Sequence, residues 1–403
     1  MSVSEADTIL HVASRGDGVT GTGRHVPLAA PGDMVKADGT VIPGPHHHEP
    51  PCRHFPECGG CQLQHLDDES WSGFIVQRVA GALAAHSLET EIRAPILSPP
   101  RTRRRATFHA ERRGRQVHLG FTKQTSHHLI DLSECWVLAP ELFALLAPLR
   151  GLLSTMLGNA RSDVQLSMTD QGVDVSISAV KAEGLANAEA LTAFAGRHRL
   201  ARLAIDDGYG PQPRWEPEPV TITLGGVPVP LPIGGFLQAT AEGEAALVAA
   251  VREIVGDAGA IADLFAGLGT FALSFPKAKV YAAEGARDAL LSLKTAGGRA
   301  QRMLLAEHRD LFRRPVPSSD LSRFDAVILD PPRAGAKEQA PELAGSSAPV
   351  VAYVSCNPST FARDAETICK GGYRLEWVQP VGQFRWSTHV ELAAKFVRTD
   401  AAA

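Results

Sequence analysis

The stretch "IADLFAGLGTFALSF", residues 261–275, reads as a strand, a glycine turn and a helix. Gly267 and Gly269 let the backbone take positive φ and approach a ligand closely. The helix N-terminus after Gly269 offers free N–H groups. The next apolar strand, "KVYAAE", ends in Glu284, 21 positions after Asp263, which suits an acid that hydrogen-bonds ribose hydroxyls. Working outward, "AEGEAALVAAVREIVG" is a helix leading in, and "FDAVILD" and "PVVAYVSC" are further apolar strands with helices between them. From about residue 240, strands alternate with helices. The expected fold is α/β, a Rossmann-like doubly wound parallel sheet.

The spacing Gly267-x-Gly269-x-x-Ala272 also fits a dinucleotide fingerprint, the mark of a dehydrogenase. Two features argue against NAD. Asp263 stands four positions before the first glycine, and the motifs downstream belong to different chemistry. An adenosyl cofactor such as S-adenosylmethionine needs no pyrophosphate cradle, and an acid can face its positively charged amino-acid end.

At 403 residues, two or three domains are expected. Hydrophobic residues make up 44%, enough for a sizeable core, and the net charge of −4 makes any nucleic-acid surface local. Six cysteines in such a chain do not form a disulfide scaffold. The N-terminus lacks the basic start and apolar core of a signal peptide. No apolar run of about 18 residues occurs, since "LFALLAPLRGLLSTML" is broken by Pro148 and Arg150. A cytoplasmic, monomeric protein with reduced thiols and no membrane partner is expected.

Residues 1–45 carry short apolar stretches between Gly/Asp turns, the pattern of a small β-barrel of the OB or TRAM kind. "PGPHHHEPP" reads as a solvated linker. Residues 46–225 read as a central α+β domain. "SWSGFIVQRVAGALAAH" is an amphipathic helix with Phe74, Val76, Val79 and Leu83 on its apolar face. "RTRRRATFHAERRGRQVHLGF" places seven arginines between Arg101 and Arg115 with Glu111 the one acid among them. It is expected to form a strand or hairpin with a cationic, RNA-facing side. "DVQLSMTDQGVDVSIS" has strand, turn and strand character. Residues 226–403 form the α/β domain.

Three residues of that domain stand out. Asp330, in "LDPPRAG", ends a strand, where ligands of an open sheet bind. Arg333 follows the prolines where an aromatic ring would suit methylation of an exocyclic amine. Cys356 ends the strand "VVAYVSC" and precedes Asn357-Pro358. A buried small residue is one reading, and the strand-end position favours a nucleophile. Cys369 is assigned to the core. His389 and Glu391 are two apart and share a strand face.

The segment "PCRHFPECGGCQLQHL", residues 51–66, holds Cys52, Cys58 and Cys61, and Cys135 is the candidate fourth ligand. Four cysteines suit a 4Fe–4S cluster. A structural zinc, held by the four or by three with His65, is the alternative that spacing leaves open.

Taken together, F-L-Q-A-T (236–240), D-L-F-A-G-L-G-T-F (263–271), L-D-P-P-R-A-G (329–335), V-S-C-N-P (354–358) and H-V-E (389–391) resemble the RNA 5-methyluridine methyltransferase family. The N-terminal "RGDGV…PGD" resembles the TRAM module. The cysteine run resembles the iron–sulfur site of the branch that acts on 23S ribosomal RNA, and tips the choice from zinc to 4Fe–4S. The resemblance implies a SAM-dependent methyltransferase. Cys356 matches the nucleophile that adds to carbon 6 of uracil, and Glu391 the base that removes the carbon 5 proton. Gln238, Asp263, Phe265, Gly267, Glu284 and Asp330 match cofactor-pocket positions, with Asp330 contacting cofactor or uracil. The family commonly has asparagines on the helix after the second acidic strand. Here "ARDALLSLKTAGGRAQ" has none, and Asp310 in "HRDLF" is the candidate near the adenine. The competing functions are a transfer-RNA uracil methyltransferase and an inactive iron–sulfur RNA-binding protein.

Overall fold

Apolar runs long enough to be buried on both faces build the main sheet of this protein, a computed structural model that describes residues 7–124 and 126–399. The first six residues, on which the signal-peptide reading partly rests, lie outside the described residues. The sheet has nine strands. Their spatial order is Leu304–His308, Lys279–Glu284, Ala260–Leu264, Ala326–Leu329, Val350–Ser355, Glu391–Arg398, Tyr373–Gly382 and Glu91–Ile92, with Ile96–Leu97 also on Tyr373–Gly382. The pairings are parallel except those of Glu391–Arg398, which runs antiparallel between its neighbours. Ile261, Ala262, Leu264, Val327, Ile328 and Leu329 are fully buried, as continuous apolar strands under helices on both faces must be. The chain order reverses between Ala260–Leu264 and Ala326–Leu329, which opens a crevice at their carboxyl ends.

The glycine turn departs from expectation. After Gly269 the chain forms a single 3-10 turn, Ala272–Ser274, and no α-helix. Pro276 supplies no N–H and pushes Phe275 out of the helical region, to φ −114° and ψ 79°. Gly269 itself has φ +92°, and a Cβ there would lie 2.3 Å from Leu293.

A second sheet of seven strands carries the arginine hairpin, Arg105–Arg113 with Gln116–Thr122. Ser162–Thr169 pairs antiparallel on its other side, with Phe108 opposite Val164. Phe108, Leu119, Val164, Leu166 and Ile177 form its core with Leu149 and Leu153 of helix Leu146–Met156. The N-terminal sheet has five antiparallel strands around Ile9, Val26, Ala29 and Val35.

Helix Asp68–Ala84 forms as expected, capped by the Asp67 side chain on the Ser70 N–H. It buries Ile75 where Val76 was expected, beside Trp71, Phe74, Val79 and Leu83. Its apolar face packs on helix Pro358–Lys370 and on strand Tyr373–Gly382. Residues 68–97 therefore join the large sheet, although their sequence position groups them with 46–225. The histidine linker is docked: His46 Nδ1 lies 2.8 Å from Asp67 and His47 Nδ1 2.7 Å from buried Asp33. Carboxylates folded against these imidazoles replace the solvent contacts expected of that segment.

Candidate active site

Cys356 follows strand Val350–Ser355 directly, at the carboxyl edge of the sheet. Asn357 caps the next helix, accepting the Ser359 N–H at 3.2 Å, and Pro358 opens it at a position that needs no donor. Asn357 Nδ2 also donates to the Arg333 carbonyl at 3.1 Å, and Thr360 Oγ1 to the same oxygen at 3.2 Å. The D-P-P-R loop is thereby bolted to the loop of the thiol. Glu391 begins the antiparallel strand beside it, and Leu392 pairs with Ser355. That register brings residues 35 positions apart to one cleft, lined by Cys356, Glu391, His389, Arg333, Phe384, Phe236, Arg103 and Arg105. His389 lies in the loop before the strand and is exposed, whereas Glu391 is buried.

Buried carboxyls act on one another beside Glu391. Burial pushes Glu391 up to about 8, helped by the negative charge of Asp330. Burial and Glu284 push Asp330 to about 7. Burial, then Asp330, raises Asp263 to about 8. Burial, then Glu391 and Asp330, raises the Cys356 thiol to about 11, with Arg333 pulling the other way. Carboxylates that hold protons in one another's company favour a cationic ligand.

The expected cofactor residues include two of these carboxyls, Asp263 and Asp330. Asp263 Oδ2 accepts the Ala272 N–H at 2.8 Å, closing the glycine turn on itself, and Oδ1 is buried without a partner. The Ala272 N–H is thus taken by protein, and a 3-10 turn stands where a pyrophosphate site would have an α-helix N-terminus. Glu284 accepts the N–H groups of Gly267 at 2.8 Å and Ala286 at 2.6 Å. Phe265 has φ +63° and meets Phe312 with ring centres 5.5 Å apart. Asp310 Oδ1 accepts the Phe312 N–H at 3.0 Å and so holds that ring in place. Gln238 is buried, and its Oε1 accepts from Gln383 Nε2 at 2.7 Å.

Strand alternation sorts the arginine run. Arg103, Arg105, Thr107 and His109 face the cleft, while Arg104, Phe108 and Ala110 point into the protein. Arg104 is bound to Glu244 at 2.5 Å and to the Gln238 carbonyl at 3.0 Å. Arg105 lies 4.3 Å from the ring centre of Phe236, which is 62% exposed. Arg112 bonds the Ser154 and Leu157 carbonyls, Arg113 pairs with Glu111, and Arg101 stacks on Trp136. Of the seven arginines, Arg103 and Arg105 line the cleft, and Arg115 is exposed at the hairpin turn. Sequence reading missed Phe236, Phe312 and Phe384, although the first two lie inside quoted motifs; the exposure of Phe236 and Phe312 and the place of Phe384 in the cleft are tertiary facts.

Cys52, Cys58, Cys61 and Cys135 are free thiols lining one cavity with Phe55, Phe121 and Arg103. Burial raises all four, Cys58 to about 11 and Cys61 to about 12. His65 is not among the lining side chains; it packs on Phe55 and His47. Among the described residues, no group of three or more His, Cys, Asp or Glu side chains stands in position to hold a metal ion. No described helix is long and apolar enough to cross a membrane.

Comparison with known proteins agrees with this geometry. Residues 302–398 match the family model described as tRNA (uracil-5-)-methyltransferase. An RNA methyltransferase of Zymomonas mobilis is 49% identical over 97% of this chain and 99% of its own. The 23S rRNA (uracil(1939)-C(5))-methyltransferase RlmD of Shewanella piezotolerans is 32% identical over 86% of this chain and 81% of its own. The crystal structure of Pyrococcus abyssi tRNA (uracil-54, C5)-methyltransferase with S-adenosyl-L-homocysteine superposes with a TM-score of 0.78 at 22% identity, covering 98% of this chain and all of that one, and shows the shared class I methyltransferase fold. With a thiol and a carboxylate brought together at the carboxyl edge of that fold, the chain belongs to the RNA uracil-5-methyltransferase family.

Proposed function

We propose that this enzyme methylates carbon 5 of a uridine in structured RNA, 23S ribosomal RNA in preference to transfer RNA, with S-adenosyl-L-methionine as methyl donor. One observation carries the reading: Cys356 and Glu391 line a single cleft walled by the arginine hairpin. Carbon 5 of uracil is a weak nucleophile. The Cys356 thiolate adds to carbon 6 and leaves an enolate that is nucleophilic at carbon 5. Carbon 5 takes the sulfonium methyl group, and the electron pair of the broken bond stays on sulfur. The Glu391 carboxylate then removes the carbon 5 proton, the double bond returns and the thiolate is expelled.

The target base must leave its stack to reach this cleft. The exposed ring of Phe236, backed by Arg105, offers it a flat face. Asp263, Gly267, Glu284 and Asp330 are read as the cofactor side, with the Phe265–Phe312 pair and Asp310 toward the adenine. These buried carboxyls suit the donor's sulfonium. The five-stranded and seven-stranded sheets, with boundaries near 45 and 225, are read as a TRAM-like module and an RNA-holding part. The chain is read as acting as a monomer in the cytoplasm.

Cys52, Cys58, Cys61 and Cys135 are read as ligands of a 4Fe–4S cluster. Four thiols line one cavity with histidine outside it, and four thiolates are the donor type of such a cluster. Thiols spread round a cavity suit a cluster of several atoms better than a single zinc ion, whose ligands must meet at one point. Such a cluster would tie residues 52 and 135 together and hold the arginine hairpin without redox chemistry.

Cys356→Ala should lower methyl transfer at least about a thousandfold, as loss of a covalent nucleophile does, while leaving donor binding intact by calorimetry. Turnover near the wild-type rate would end the assignment. Mapping 5-methyluridine in 23S and transfer RNA from a deletion strain decides the substrate.

A further inference from the structure

The cysteine cavity and the catalytic cleft share a wall: Gly60, Arg103 and Phe121 line both. Arg103 is its charged member. Its backbone is threaded past Cys135, donating to the Val137 carbonyl at 3.0 Å and accepting the Ala139 N–H at 2.9 Å. Its Nε donates to the Arg105 carbonyl at 3.1 Å, and its guanidinium carbon lies 5.7 Å from the ring centre of Phe384. Phe384 meets His389 edge-on at 5.8 Å, two residues before Glu391. The cysteine loop reaches the same place from the other side, since Gln62 and Leu63 donate to the Trp386 carbonyl at 2.8 and 2.9 Å.

Among the described residues this arginine has no carboxylate in an ion pair. Arg104 has Glu244, Arg150 has Asp131 and Arg202 has Asp174, each within 2.7 Å. Among the described residues no Asp or Glu forms an ion pair with Arg103, and it lines one cavity with Cys61 and Cys135. A cation held largely out of water is costly unless a counter-charge meets it. Four thiolates around an iron–sulfur core outweigh the positive charge of the core, so the loaded site is an anion.

We propose that Arg103 is a positioning residue: its guanidinium is the counter-ion of the four-cysteine site and, so held, fixes Phe384 and the cleft wall against the target base. The inference rests on the reading of the four cysteines as cluster ligands. Arg103 passes the state of one site to the other through a single side chain, which explains why a cluster without a redox step stands against the catalytic cleft.

The test compares the full chain, purified without oxygen, with Arg103→Met and Arg103→Lys. Iron content, cluster reduction potential and steady-state methylation of a synthetic RNA hairpin are measured. Removing the cation should make the Arg103→Met potential more negative, because the reduced, more anionic cluster loses its partner. KM for RNA should rise about threefold to tenfold with donor affinity unchanged. Arg103→Lys should recover most of the potential. Loss of iron in Arg103→Met with retention in Arg103→Lys would equally support charge pairing. An unmoved potential and KM in iron-replete Arg103→Met would overturn the proposal, as would loss of iron in both variants. A wild-type chain without iron would overturn the cluster reading itself, and this inference with it, before any substitution is compared.

Discussion

Glu391 influences the proton of Cys356. The carboxylate helps push the thiol to about 11, and burial holds Glu391 itself near 8. Neutralising the carboxylate removes a negative neighbour, so the thiol of Glu391→Gln should ionise at lower pH. Alkylation of Cys356, followed by mass spectrometry of its peptide at pH 8, should therefore be faster in Glu391→Gln than in wild type. The same variant should accumulate a covalent RNA adduct on a denaturing gel, because the carbon 5 proton has no acceptor. Equal alkylation rates would separate the two groups electrostatically, and absence of adduct would remove Glu391 from the role of base. Methyl transfer needs both groups deprotonated, so its rate should climb as pH rises through about 8.

At the scale of elements, the site depends on a helix far from it in sequence. Helix Asp68–Ala84 supports strand Tyr373–Gly382, which in turn pairs with the strand that begins at Glu391. A Cβ on Gly382 would meet Ile75, Leu97 and Trp71 at about 3 Å, so this packing is close. Phe74→Ala empties a side chain that is 2% exposed and should cost about 3–5 kcal/mol in denaturant unfolding. A loss below about 1 kcal/mol would mean that the helix packs less tightly than its burial indicates. Arg104→Met tests the inward side of the arginine strand. It leaves the carboxylate of Glu244 without its partner and should cost about 3 kcal/mol, more than an exposed pair would. Element boundaries gave way where one residue overruled the pattern. Pro276 cut the helix expected after Gly269 to a single turn.

For the whole molecule, the buried acids make stability and donor binding depend on pH. Asp263 and Glu391 sit near 8 and Asp330 near 7, against about 4 for unfolded carboxyls. Between those limits the folded chain holds protons that the unfolded chain has released. Stability without donor should therefore fall as pH rises from about 4 to about 8, the sign for raised carboxyl pKa values. The cationic donor favours the ionised acids, so its affinity should rise over the upper part of that range. Thermal melting with and without S-adenosyl-L-methionine should show a larger gain at pH 8 than at pH 6, and an equal gain would detach these acids from the donor site. The sequence by itself determined the mostly parallel sheet, the order of its motifs and the candidates for thiol and base. Those features are local, because strand ends and glycine turns are written in adjacent residues. Only the tertiary structure decided that Arg103 and Arg105 face the cleft while Arg104 is buried, and that residues 68–97 complete the catalytic sheet. It also set the cysteine cavity against the cleft wall. These are facts of which side chain meets which across hundreds of residues, and packing settles them where periodicity cannot.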